Sequence, residues 1–223
     1  MHQEAEKRRQ NSQFREKGIA GENKKEWMIL VYPNTSLRKK AGKIAKLSPE
    51  TEKAILQLEK DLSVSEIGVG LSAPQIGKNL PVFVIQDHSY RSSQDHHCGF
   101  RIFINPGIVS SFGAKKTYPQ VLDADNNRED FYEGCLSFPD LYGTVKRWLK
   151  IKTAYQMPGK SGKLIDREEV LTDLLAIVFQ HELDHLEGIV FPDRVKKEGG
   201  KLFYRGKSGE IEEISWERFE KLF

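Results

Sequence analysis

The feature that most constrains this chain is the pattern H-E-x-x-H, formed by His181, Glu182 and His185. Residues four positions apart lie on one face of an α-helix, so the two imidazole rings can reach a single metal ion. The glutamate beside the first histidine can then contact a water molecule at that ion. Because the preceding segment, 170–179, is strongly apolar, we predict a buried helix, where two histidines without partners would be unfavourable. The pattern therefore predicts the metal centre of a hydrolase.

Length and composition restrict the class of protein. The chain has 223 residues, of which 38% are hydrophobic and 30% charged, and this balance fits one globular domain with polar extensions. The net charge of +3 is too small to indicate a nucleic-acid partner. Two cysteines, Cys98 and Cys135, cannot form a disulfide framework, and the longest apolar run, 174–179, is too short to cross a membrane. We therefore expect a cytoplasmic protein with neither a specific nucleic acid nor a membrane as its partner.

The organisation along the chain indicates one folded unit. Residues 1–26 alternate charged and amide side chains with almost nothing to bury, so we predict a disordered extension there and a single catalytic domain over residues 27–223. Segment 27–32 predicts a strand, and Ser48 followed by Pro49 predicts the start of a helix. Several short strands then precede the H-E-x-x-H helix. The predicted fold class is α+β, with short mixed or antiparallel strands packed around that central helix.

A catalytic site of the zinc type needs a third protein ligand and one open position. No histidine follows His185, and the downstream acids fall in a predicted exposed hairpin and tail: Glu210, Glu212, Glu213 and Glu217. Cys135 lies between glycine and proline turns in segment 133–139, where a thiolate could complete a Cys/His/His site. A lone cysteine is more often a small buried hydrophobic residue. These residues alone therefore leave the third ligand open.

Three segments in order carry a stronger signal than any of them alone. They are G-V-G-L-S-A-P-Q at 68–75, E-G-C-L-S at 133–137 and Q-H-E-L-D-H-L-E-G at 180–188. Together they resemble the three motifs of the peptide deformylases, and the likeness extends over about residues 28–192. Ser72 is a departure from the motifs, because alanine is commoner at its position.

The resemblance implies roles for particular residues. It implies Cys135, His181 and His185 as metal ligands, Glu182 as the catalytic carboxylate, Gln75 and the backbone N–H of Leu136 as oxyanion donors, and Gly70 as a backbone contact to the substrate peptide. Glu133 and Arg147 resemble the structural ion pair of the family. An apolar pocket that would accept a methionine side chain has several candidate residues: Val69, Leu136, Leu174 or Ile177, and the ring of His181.

The reaction implied is removal of the formyl group from the N-terminal formylmethionine of newly made polypeptides, with release of formate. The resemblance points to Fe(II) as the metal, although the donor set also suits Zn, Ni or Co. Formylated nascent chains, and with them the ribosome, are the expected partners. Two alternatives stay open: a zinc endopeptidase with a downstream glutamate ligand, and an inactive deformylase-like binding protein. A pure binding protein would have no need of Glu182.

Overall fold

A computed structural model describes residues 29–65, 67–87, 99–117, 121–122, 128–129 and 132–223, with only the backbone at 121–122 and 128–129. The predicted extension 1–26 lies outside the described residues. The helices are α1 (Pro49–Ser63), α2 (Asp173–Leu186), α3 (Phe191–Glu198) and α4 (Trp216–Leu222). The strands are β1 (Gly70–Ser72), β2 (Val82–Gln86), β3 (Phe100–Ser111), β4 (Val121–Leu122), β5 (Arg128–Glu129), β6 (Glu133–Cys135), β7 (Phe138–Gly143), β8 (Lys150–Pro158), β9 (Leu164–Thr172), β10 (Leu202–Arg205) and β11 (Ile211–Ile214).

The start of α1 follows the capping signal in the sequence. The Ser48 side chain accepts a hydrogen bond from the backbone N–H of Thr51 at 3.2 Å, and Pro49 occupies the first helical position. The apolar stripe that includes Leu58 and Leu62 is buried against the larger sheet. The predicted helix start is therefore confirmed.

A five-stranded antiparallel sheet, in the order β1-β2-β3-β8-β9, lies between α1 and α2. Successive side chains of a strand point to opposite faces. In β2, Val82 and Val84 pack in the cluster that contains α1, while Phe83 and Ile85 pack with Phe179 of α2. Both faces of the sheet are therefore buried, and the H-E-x-x-H helix is fixed against one of them.

A second antiparallel sheet, in the order β11-β10-β7-β6, carries Cys135. Its apolar side chains form a separate cluster with α3, in which Phe138, Phe191 and Leu202 are almost fully buried. Strands β4 and β5 pair as a small third sheet. The predicted α+β class is confirmed, and every pairing among the described strands is antiparallel.

Two local predictions are corrected. Residues 29–32, the described part of the predicted first strand, belong to no strand. Their backbone donates instead to two single carbonyls outside the strands, from Leu30 to Gln75 at 2.7 Å and from Tyr32 to Ser137 at 2.9 Å. Because these acceptors lie in two different segments, no continuous ladder forms. Strand β3 is also longer than the short strands expected, since it has 12 residues.

Candidate active site

Helix α2 and strand β6 bring the three predicted metal ligands together. His181 and His185 lie on one face of α2, with their ring centroids 5.1 Å apart. Cys135 ends β6, and its Sγ lies 3.3 Å from Nε2 of His185. One ligand atom from each of the three residues lies within 4.8 Å of the other two. Residues about 50 positions apart in the sequence thus converge on one point.

The chemistry of this cluster fits a metal ion. His181 Nδ1 lies 3.0 Å from Oε2 of Glu133, and because an ionised carboxylate only accepts, the ring donates from Nδ1, which leaves Nε2 as its ligand atom. Burial alone would lower the pKa of His181, but its hydrogen bonds to Cys135 and Glu133 raise it well above the usual value, so a metal ion would have to displace a proton from this ring. Burial lowers the pKa of His185 well below its usual value, so this ring is neutral. Two imidazole nitrogens and a thiol are typical of sites for Zn and for divalent transition metals.

A buried network of ion pairs lies behind His181. Arg147 donates to both oxygens of Glu133, at 2.8 and 2.9 Å, and to Asp184 at 2.6 Å. Burial alone would raise the pKa of Glu133, but the adjacent Arg147 charge lowers it to about 2. Asp184 also accepts a hydrogen bond from Arg194 at 3.0 Å. The network therefore holds Glu133 ionised, as its hydrogen bond to His181 requires.

Glu182 is buried at the edge of the cluster, and one of its carboxylate oxygens accepts no hydrogen bond. The residue is 3% exposed, and Oε2 has no hydrogen-bond partner in the described part of the chain. Burial raises its pKa to about 7. A Cβ on Gly70 would lie 2.6 Å from Oε1 of Glu182, so only glycine allows the backbone of β1 to approach this carboxylate so closely. The arrangement suits a group that exchanges a proton near neutral pH.

The amide of Gln75 is held in one orientation. Its Oε1 accepts from the backbone N–H of Ser72 at 2.9 Å and from the Ser72 hydroxyl at 2.7 Å. The amide nitrogen Nε2 therefore points the other way, 3.5 Å from Cys135 Sγ and 3.3 Å from Ser137 Oγ. The serine that departs from the family motif thus helps to direct an N–H donor toward the cysteine.

A cleft of about 670 Å³ opens beside these groups. It contains Cys135, His181, Glu182 and Gln75, so the polar groups described above share one space. The apolar part of its wall includes the residues considered for a methionine pocket: Val69, Leu136, Leu174 and Ile177. Leu136 directly follows Cys135 in the turn between β6 and β7.

The comparison with known families agrees with this geometry. The family model described as polypeptide deformylase matches residues 27–201. The chain belongs to the polypeptide deformylase family. The matched segment includes every residue of the cluster and ends before β10. The last hairpin, β10–β11, and α4 lie beyond it.

Curated relatives and solved structures give the same assignment. The peptide deformylase of Desulforudis audaxviator is 34% identical over 169 residues, which are 75% of this chain and 92% of the relative. That of Aquifex aeolicus is 36% identical over 169 residues, 75% of this chain and 86% of the relative. The crystal structure of peptide deformylase from Thermotoga maritima has a TM-score of 0.58 and 32% identity, covering 74% of this chain and 95% of that chain.

Membership defines the reaction class. Peptide deformylases are metal-dependent hydrolases that remove the formyl group from the N-termini of polypeptides, and this chain is an enzyme of that class. The endopeptidase and the inactive binding protein are not favoured. The downstream acids are exposed and have surface partners: Ser208 for Glu210, Arg218 for Glu212, Lys201 for Glu213 and Lys221 for Glu217. None of the helices in the described ranges combines the length and apolar character that a membrane span requires.

Sequence reasoning missed part of this deformylase site. Asp184 carried a usable signal, because an acid on the buried face of an apolar helix needs a partner. Arg194 carried none, since nothing in its segment indicates that α3 places it beside Asp184. The role of Ser72 was also missed, although its departure from the motif was visible.

Proposed function

We propose that Cys135, His181 and His185 hold one divalent metal ion and that this ion is Fe(II). The convergence of these three donors beside a buried carboxylate with one unpartnered oxygen is the observation that carries the proposal. The family resemblance favours iron, while Zn, Ni and Co remain compatible with the same donors. A bound ion of this kind would supply Lewis-acid chemistry, polarising the formyl carbonyl and lowering the pKa of water.

Glu182 acts as the general base and acid. It accepts a proton from the attacking water and later delivers that proton to the leaving amine nitrogen, as the C–N bond breaks and formate departs. Its raised pKa, about 7, makes both transfers accessible near neutral pH. The unpartnered Oε2 is the oxygen available for this exchange.

Gln75 and the backbone N–H of Leu136 stabilise the negative charge on the formyl oxygen. Ser72 fixes the amide of Gln75 with its nitrogen toward Cys135, so this donor requires no reorganisation during the reaction. A donor that is preorganised in this way is typically worth about 3–4 kcal/mol in the transition state. Leu136 adds the second donor from the turn that follows the metal-binding cysteine.

The substrate peptide binds along β1 with its methionine side chain in the apolar part of the cleft. Strand β1 is at the end of the strand order, so its outer edge can pair with an extended peptide. Gly70 provides the backbone contact, and Val69 lines the pocket with Leu136 and Ile177. A flexible, polarisable thioether suits such a pocket.

The cellular setting follows from this chemistry. We assign residues 27–223 to one catalytic domain, preceded by a polar extension over residues 1–26. Formylated N-termini arise during protein synthesis, so the enzyme acts in the cytoplasm on chains that emerge from the ribosome. The scarcity of cysteine supports a reducing compartment.

The test separates metal binding from proton transfer. Glu182→Gln keeps the size of the side chain but removes the base, so we expect bound metal to be retained and formate release from formyl-Met-Ala to fall by about 10²–10⁴-fold. The matched control is Glu187→Gln, an exposed acid at the end of the same helix, which should release formate normally. Undiminished turnover by Glu182→Gln would remove it from the proposed role.

A further inference from the structure

The outer end of the cleft includes a residue from beyond the family-matched segment. Strand β10 pairs with β7, with Phe203 opposite Tyr142 and Tyr204 opposite Leu141. Arg205, the last residue of β10, lines the same cleft as Cys135 and His181. Because the family match ends at residue 201, this arginine is contributed by the hairpin that follows it.

Arg205 presents a guanidinium that no described carboxylate approaches within ion-pair distance. Its guanidinium lies 5.0 Å from the centroid of the Tyr142 ring and takes part in no ion pair with a described residue. Among the described residues that line the cleft, Arg205 alone carries a guanidinium or ammonium group. The side chain is half-buried, so its charge is only partly hydrated. Stacking on Tyr142 therefore fixes a cation that is still available to a ligand.

The Tyr142 ring is itself fixed in place. A Cβ on Gly134 would lie 3.2 Å from two carbons of that ring, so the ring rests directly on β6 beside the metal-binding cysteine. The guanidinium is thereby supported by the same sheet that positions Cys135. A planar guanidinium held by an aromatic ring is well suited to bind a carboxylate with two hydrogen bonds.

Strand spacing estimates where a substrate would meet this charge. Strand β10 is two strands away from β6, which is roughly 10 Å at the usual interstrand distance. An extended peptide advances about 3.3 Å per residue. A peptide whose formyl group lies at Cys135 would therefore reach Arg205 about three residues further along.

We propose that Arg205 binds a carboxylate of the formylated peptide about three residues after the formyl group, and so gives the enzyme a preference for acidic substrates at that position. This inference rests on the proposed function. The carboxylate can come from an Asp or Glu side chain or from the free C-terminus of a short peptide. Asp140, which lines the same cleft without an ion pair to a described residue, opposes this preference by its like charge.

The experiment measures formate release from amide-capped formyl-Met peptides. Each peptide carries Glu, Gln or Lys at one of the positions that follow the methionine. At the matching position, we expect kcat/KM to be about three- to tenfold higher for Glu than for Lys, with a ratio that falls as salt is added. Arg205→Gln should bring the ratio to one or below, because Asp140 remains in the cleft. Arg205→Lys should keep part of the preference, and Asp140→Asn should increase it. A second arm compares formyl-Met-Ala-Ser as the free acid and as the amide, which identifies the C-terminus as a source.

The matched control is Arg218→Gln, which removes the same charge from the same terminal segment outside the cleft and should leave the ratio unchanged. Thermal unfolding of each variant checks that the hairpin remains folded. Two results would overturn this inference alone. In one, the enzyme releases formate from every peptide at a rate that does not depend on the charge. In the other, Arg205→Gln leaves the Glu/Lys ratio unaltered. Absence of formate release from all peptides with the metal-loaded wild type overturns the proposed function and this inference with it.

Discussion

Two ion pairs in this chain have the same length and very different surroundings. Arg147 Nε lies 2.8 Å from Oε1 of Glu133, and Lys201 Nζ lies 2.8 Å from Oε2 of Glu213. The side chains of the first pair are 5% and 6% exposed, whereas those of the second are 62% and 52% exposed. Distance alone would predict that removing either pair has the same effect on the free energy of unfolding. Because only the first pair has lost its hydration, we expect the two effects to differ greatly.

The difference teaches how this fold uses charge. The buried pair lies against His181, and breaking it would leave a charge without compensation in an environment of low polarity. The exposed pair lies on the terminal hairpin, where water solvates either partner when the other is removed. Buried charge therefore fixes His181, a proposed metal ligand, in position, while we expect surface charge to have little influence on the fold.

The largest effect is expected from removal of the central cation. Arg147→Met leaves Glu133 without its bidentate partner and takes one of two cationic partners from Asp184. We expect the free energy of unfolding to fall by about 3–5 kcal/mol, measured by urea denaturation of the metal-loaded enzyme. Metal content should fall as well, because His181 loses a fixed hydrogen-bond acceptor. If Arg147→Met lowered the free energy of unfolding no more than a surface variant does, burial would not determine how much an ion pair contributes to stability.

A smaller loss is expected from Asp184→Asn, which sharpens the comparison within the buried network. The asparagine keeps the shape and one acceptor oxygen, and Arg147 keeps both of its bonds to Glu133. Arg194 is partly exposed, at 24%, so water can replace much of what it loses. We expect a decrease of about 1–3 kcal/mol in the free energy of unfolding by the same urea assay. An effect as large as that of Arg147→Met would mean that Asp184, and not Glu133, is the main partner of the arginine.

Sequence could predict the parts of this site that depend on the spacing of residues within a short segment. The i, i+4 relation of His181 and His185 specifies one helix face, and the family motifs around Cys135 and Gln75 supply the rest of the proposed centre. The Arg194–Asp184 contact depends on how α3 packs, and no short-range pattern encodes it. For the same reason, sequence gave no indication that the last hairpin would contribute to the cleft.

The element boundaries show a second limit of sequence reasoning. The strongly apolar segment 170–179 is predicted to belong to one helix, yet 170–172 belong to β9 and α2 begins at Asp173. A short, mostly apolar segment has no clear period that distinguishes a buried strand from a buried helix. Residues 29–32 show a different failure, because their apolar composition predicts a strand while their backbone hydrogen bonds go to two separate segments.

The smallest effect is expected from Lys201→Met, the exposed counterpart of the arginine variant. The substitution removes the cation from Glu213, but this carboxylate remains in water, and holding two long side chains in one geometry had already offset much of the attraction. We expect the urea midpoint and the metal content to match those of the wild type within the error of repeated measurements. A clear decrease in the midpoint would show that the hairpin depends on this ion pair, and the equal distances would then reflect comparable contributions. An unchanged midpoint beside a large loss in Arg147→Met would attribute the difference to burial, since the two pairs have the same length.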